Sequence, residues 1–89
     1  ERVENYLDEV TYNNILNFIK KEARDIAADE FDIELMARFY TYALVGMVLE
    51  WLSGGMKGDM NAAVERLGVL LDGNIRLTLS NSEKIVQIK

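Results

Sequence analysis

The sequence predicts an all-α domain, a helical bundle of about four helices, and three observations carry that prediction. In the stretch from Glu34 to Leu52, fourteen of nineteen residues are apolar or aromatic, and Glu34, Arg38, Thr41 and Glu50 stand isolated among them. On either side, apolar residues recur at the i, i+3, i+4, i+7 spacing of amphipathic helices. Helix-capping residues stand where the stripes end: Asp29 and Asp32 before the central stretch, Gly54 and Gly55 after it, and Asp59 before the last segment.

The central stretch orders the rest. A helix that is apolar almost all round must be covered on almost all sides, so this one belongs at the centre of a domain or between a domain and a second chain. A bilayer span needs about 20 predominantly apolar residues, whereas the longest uncharged run, Phe39 to Leu49, has eleven. Nineteen residues without a turn signal are also too long for a strand. The expected helix runs over 32–53, with Glu34 and Arg38 in the favourable i, i+4 order.

Before it, Val3, Tyr6, Leu7 and Val10 form one apolar stripe, and Tyr12, Ile15, Leu16, Ile19, Ala23 and Ile26 form a second. At 100° per residue the two point roughly 180° apart. The sequence therefore predicts a short helix over 1–10, a break near Asp8 to Thr11 with Thr11 as N-cap, and a second helix over 11–28. After the Gly54-Gly55 stop, Asp59 caps a last helix over 59–78. Its apolar residues, among them Met60, Ala63, Val64, Leu67, Leu70, Leu71 and Ile75, span about 160° of the helical wheel. That arc exceeds the width needed for a single core contact. Residues 80–89 read as a polar tail. A rival reading takes Asp72-Gly73-Asn74 as a turn and pairs the end of the chain back as a hairpin.

Composition excludes several kinds of function. With no histidine and no cysteine, the commonest general base, the usual nucleophile pairs and nearly all zinc sites are missing. No catalytic residue, cofactor or metal is expected. A carboxylate-based bundle enzyme lacks the histidine of its Glu-x-x-His pattern, and the fifteen Asp and Glu are scattered over polar faces. The net charge of -5 argues against a grip on a phosphate backbone, which takes clustered Lys and Arg. Neither a membrane span nor a signal peptide is expected, and the absence of cysteine fits a reducing cytosol. Eighty-nine residues allow one domain, and one this small buries only about 60% of its unfolded surface. Self-association that buries more is expected. The opening Glu1, in place of Met, suggests a fragment of a longer protein.

Within the central helix, Gly46 costs about 1 kcal/mol relative to Ala, and Ala43 widens the same smooth patch. A close helix crossing accounts for both. On another side, Tyr40, Leu44, Met47 and Trp51 line up at helical spacing with Met36, while Tyr42 projects away. This row is either plain core or the wall of a small-molecule pocket, in which the Tyr hydroxyl and the Trp N–H need partners.

The stretch Phe39 to Gly58, FYTYALVGMVLEWLSGGMKG, followed by a capped helix, resembles the C-terminal regulatory domain of TetR-family transcriptional regulators. Phe39, Tyr40, Ala43, Leu44, Gly46, Trp51, Leu52, Gly55 and Met56 match an aromatic start, an Ala-Leu-Val-Gly centre, a late Trp and a Gly-Met turn. The resemblance implies a homodimer in which the last two helices form a four-helix bundle with a partner. Ala43, Gly46, Ala63, Leu67, Leu70, Leu71 and Asn74 are the interface candidates. It also implies a small apolar effector, with Met36, Tyr40, Leu44, Met47 and Trp51 as pocket candidates. Such an effector would shift the population between DNA-competent and incompetent states. DNA is read in such proteins by a separate N-terminal helix-turn-helix domain, of which this sequence holds no counterpart. The rival from another class is a stand-alone helical module that dimerises or docks a partner without ligand.

Overall fold

The computed structural model describes the backbone of residues 2–88 and the side chains of residues 5–88. It contains four helices in order, α1 (Arg2–Glu22), α2 (Glu30–Ser53), α3 (Met60–Leu70) and α4 (Asn74–Ile88), and no strand among the described residues. The all-α expectation is met. Three of the expected boundaries are not.

α1 runs unbroken through Asp8 to Thr11, which corrects both the break and the Thr11 cap. Helix propagation is cooperative, and nothing in α1 interrupts its hydrogen-bond ladder, since it contains no Gly or Pro. The two opposed stripes are reconciled by exposure instead of bending. Tyr6 and Val10 face solvent, while Tyr12, Ile15, Leu16 and Ile19 turn inward. The side chain of Val3 lies outside the described residues. α1 also ends at Glu22, six residues earlier than expected, in a turn closed by Ala23 N–H to Ile19 C=O at 2.9 Å and Arg24 N–H to Lys21 C=O at 3.3 Å.

α2 begins where the carboxylate of Asp29 accepts the Phe31 N–H at 3.0 Å, as its N-cap position predicts. It stops at Gly54. The Gly55 N–H bonds to Leu52 C=O at 3.1 Å and the Met56 N–H to Trp51 C=O at 2.8 Å, the paired bonds of a Schellman motif. Gly55 takes φ +86° there, a backbone conformation that suits a residue without Cβ.

The last helix is two helices. Asp59 caps α3 through the Ala62 N–H at 3.1 Å, but α3 ends at Leu70 and the chain turns at Leu71 to Gly73, with Gly73 at φ +80°. Asp72-Gly73-Asn74 is thus a turn, though it leads into a helix and not a strand. α4 runs to Ile88, which replaces both the polar tail and the hairpin alternative. A continuous helix would have carried Leu79 away from α1 and α2. The turn folds it back between them.

α1 and α2 form an antiparallel hairpin, with Arg38 of α2 placed over the Tyr12 ring of α1, 5.4 Å from its centroid. The i, i+4 spacing of Glu34 and Arg38 forms no ion pair among the described residues, and Arg38 stacks on Tyr12 instead. The core sits toward the turn end of this hairpin. Ile19, Ile33, Met36, Ala37 and Leu79 are buried together, and Tyr12, Ile15, Leu16, Ile26, Tyr40 and Ile75 pack around them. α4 seals that end from outside. α3 has no buried residue, and the molecule is drawn out to 48 × 28 × 18 Å.

Candidate functional site

The five pocket candidates do not gather around one cavity. Met36 lies in the core cluster, and Tyr40 packs against it. The Tyr40 hydroxyl donates to the Asn74 side-chain oxygen across the α2–α4 contact, and partial burial pushes its pKa above the ordinary tyrosine value. Leu44 is half-buried beyond them. The row predicted from the helical period is real as a row, but its first half has been used to build the core.

Met47 and Trp51, from the second half of the row, do line a concavity. They are joined there by Glu50, Gly54, Lys57 and Met60 around a volume of about 360 Å³. The Schellman turn after α2 brings Lys57 and Met60 back alongside Trp51. A second hollow of about 350 Å³ lies across the indole, against Gly58, Asp59, Met60 and Asn61. Both hollows are open to solvent. The indole Nε1–H donates to the Gly58 carbonyl at 3.2 Å, so the polar handle of Trp51, like that of Tyr40, is satisfied within the chain. Glu50, Lys57 and Met60 are the lining residues that sequence reasoning did not single out. Their signal was available in the tight Gly54-Gly55 turn, which must fold the next residues back on the last turn of α2.

The other side of α2 is a continuous apolar face left largely exposed by the described residues. Phe31, Leu35, Phe39, Tyr42 and Gly46 fall within about 80° of one another on the helical wheel. Phe31 and Phe39 are each 68% exposed and Tyr42 60%. At Gly46 an added Cβ would meet nothing within 4 Å, so among the described residues no close helix contact forms there. The expected crossing is absent among them. The other interface candidates divide. Ala43, Ala63, Leu70 and Leu71 are exposed and Leu67 is half-buried, whereas Asn74 is engaged with Tyr40.

The accessible surface carries the same message in one number. It totals 6731 Å², about a quarter more than the roughly 5,300 Å² that a compact monomer of this mass exposes. Among the described residues no group of three His, Cys, Asp or Glu could hold a metal ion, and no helix is long and apolar enough to cross a membrane.

Taken together, these features define an all-α module with one small core at the α1–α2 turn and an exposed apolar flank along α2. The family model described as the transcriptional regulator C-terminal region, of the TetR type, matches residues 1–73, and the chain belongs to that family. No curated protein and no solved structure matches it. The matched residues include α1, α2 and α3 and stop just before α4.

Proposed function

We propose that this chain is the dimerising regulatory region of a TetR-type transcriptional regulator, with DNA read by a separate helix-turn-helix domain. The observation that carries the reading is the bare outer face of α2, where three large aromatic residues and a helix-interior glycine all face open space. A glycine inside a helix costs about 1 kcal/mol, and among the described residues nothing packs against Gly46 to offset it. A second copy crossing α2 at Ala43 and Gly46 would use the missing side chain for close approach. The surface excess of about 1,400 Å² is more than a standard interface needs, since one removes about 800 Å² from each partner.

The exposed α3 residues Ala63, Leu70 and Leu71 extend the same association, and Leu67 stands at its edge. The effector part of the reading rests on Met47 and Trp51. Their open concavity lies on the side of α2 away from the proposed crossing and stays accessible in a dimer, and an apolar ligand would find there two thioethers, Met47 and Met60, and the indole beside the charges of Glu50 and Lys57. Sedimentation equilibrium at tens of micromolar is the test: the wild type is expected as a dimer and Gly46→Leu as a folded monomer. A wild type that sediments as a monomer refutes the reading. For the effector, Trp51 is the only tryptophan, so apolar ligands are expected to shift its emission and raise thermal stability by mass action.

A further inference from the structure

We propose that α4 is a latch, which docks on and releases from the α1–α2 turn as one unit about the Leu71 to Gly73 hinge. When it releases, it uncovers an apolar groove between α1 and α2. This goes beyond dimerisation and does not depend on it.

The hold of α4 on the core is narrow. Leu79 is its only fully buried large side chain, enclosed with Ile19, Ile33 and Ala37, and Ile75 helps from the side. Leu77, Ile85, Val86 and Ile88 face solvent. The apolar hold on the hairpin therefore rests chiefly on one inserted side chain, which acts as a plug.

Around the plug lies a polar clasp aimed mainly at the α1–α2 turn and its flanks over residues 22–32, while Asn74 at the start of α4 accepts from the Tyr40 hydroxyl. Arg76 donates to the Glu22 carbonyl at 2.9 Å and to both Asp25 carboxylate oxygens at 3.3 and 3.2 Å. Ser82 Oγ accepts the Asp29 N–H at 2.9 Å and donates to the Asp32 carboxylate at 2.6 Å. Glu83 accepts the Ala27 N–H at 3.3 Å. The turn has no ladder of its own at Ala27 and Asp29, so α4 side chains supply acceptors for both amides. Most of these groups lie at the solvent edge, where water replaces a lost partner at little cost. Elements with few buried contacts and water-accessible hydrogen bonds occupy the low-stability end of a fold. Gly73, at φ +80°, sits at the joint. Release would bare Ile19, Ile33 and Ala37 while leaving the rest of the α1–α2 contact in place.

The test is amide hydrogen exchange on the full chain, compared with Arg76→Gln and Ser82→Ala. In the wild type, the α4 amides and those of Ala27 and Asp29 are expected to exchange as one group. That group should be about tenfold or more faster than the amides over 36–41, as a sub-global opening requires. Both variants are expected to accelerate it together by several-fold as the undocked helix, marginal by itself at this length, opens its own bonds, to leave 36–41 unchanged, and to raise binding of an apolar dye. Two results would overturn the latch. One is α4 protected as strongly as 36–41, with the variants accelerating every amide alike, which makes α4 part of the cooperative core. The other is fast α4 amides with Ala27 and Asp29 unaffected, which makes it a fraying end. Arg76 is half-exposed, so Arg76→Gln tests the clasp without opening the core should Ser82→Ala fail to fold.

Discussion

Single residues here do different work according to whether the chain itself covers them. Gly46 is the plainest case, because no described residue occupies the space beside it. Gly46→Ala is expected to raise the melting temperature by the equivalent of about 1 kcal/mol where the chain is monomeric. The same change should weaken self-association, which sedimentation over a range of concentrations would read. Asp25 gives a second case. Its hydrogen bond from Arg76 holds the Asp25 carboxyl below the usual carboxylate range, with help from its own backbone and the Arg76 charge. A depressed folded-state pKa stabilises above the unfolded value, and the contribution is lost as the pH falls through the folded one. The exchange rates of wild type and Arg76→Gln should therefore converge as the pH drops below about 4.

Among the elements, α2 is the scaffold, α1 and α4 hold its inner side, and α3 is held by little beyond its own backbone. That last point makes the α3 cap unusually important. Asp59→Ala removes the acceptor of the Ala62 N–H and is expected to cost about 1 kcal/mol. With no buried α3 residue to resist, the loss should be local. Exchange over residues 60–70 is expected to quicken while the melting temperature of the α1–α2 hairpin holds, and Asp59→Asn should restore protection. A global loss of stability would instead tie α3 into the core. The contrast with α4 is instructive. Both helices are short and amphipathic, but α4 places Leu79 in the core and α3 places nothing there.

As a whole, the molecule is longer than a compact chain of its size. Its radius of gyration is 14.8 Å, against about 12 Å for a compact domain of this length. Burial is concentrated at one end, and the extended remainder carries the apolar flank proposed to meet a second copy. The charge distribution separates this association from DNA binding. With fifteen acidic against ten basic residues, the chain alone is expected to leave duplex DNA unretarded in a gel at physiological salt. Retention that fades steeply with added salt would show a phosphate contact and overturn that expectation.

Features that depend on neighbours along the chain were legible in the amino acids alone. The 3.6-residue spacing, the Asp29 and Asp59 caps and the Gly54-Gly55 stop located α2 and the start of α3, and the uncharged run from Phe39 to Leu49 marked the central element. Even the turn at Gly73 could be read, although its consequence could not. A turn signal says that the chain bends but not where the next segment docks, and it took the burial of Leu79 to settle residues 74–88 as a helix on the α1–α2 turn. The same limit explains α1, where the sequence showed two opposed stripes but not which would stay uncovered. It explains the site as well. The helical period placed Met36, Tyr40, Leu44, Met47 and Trp51 in one row. Tertiary contact divided that row, giving Met36 and Tyr40 to the core and Met47 and Trp51 to an open concavity, because α4 covers only the turn end of α2.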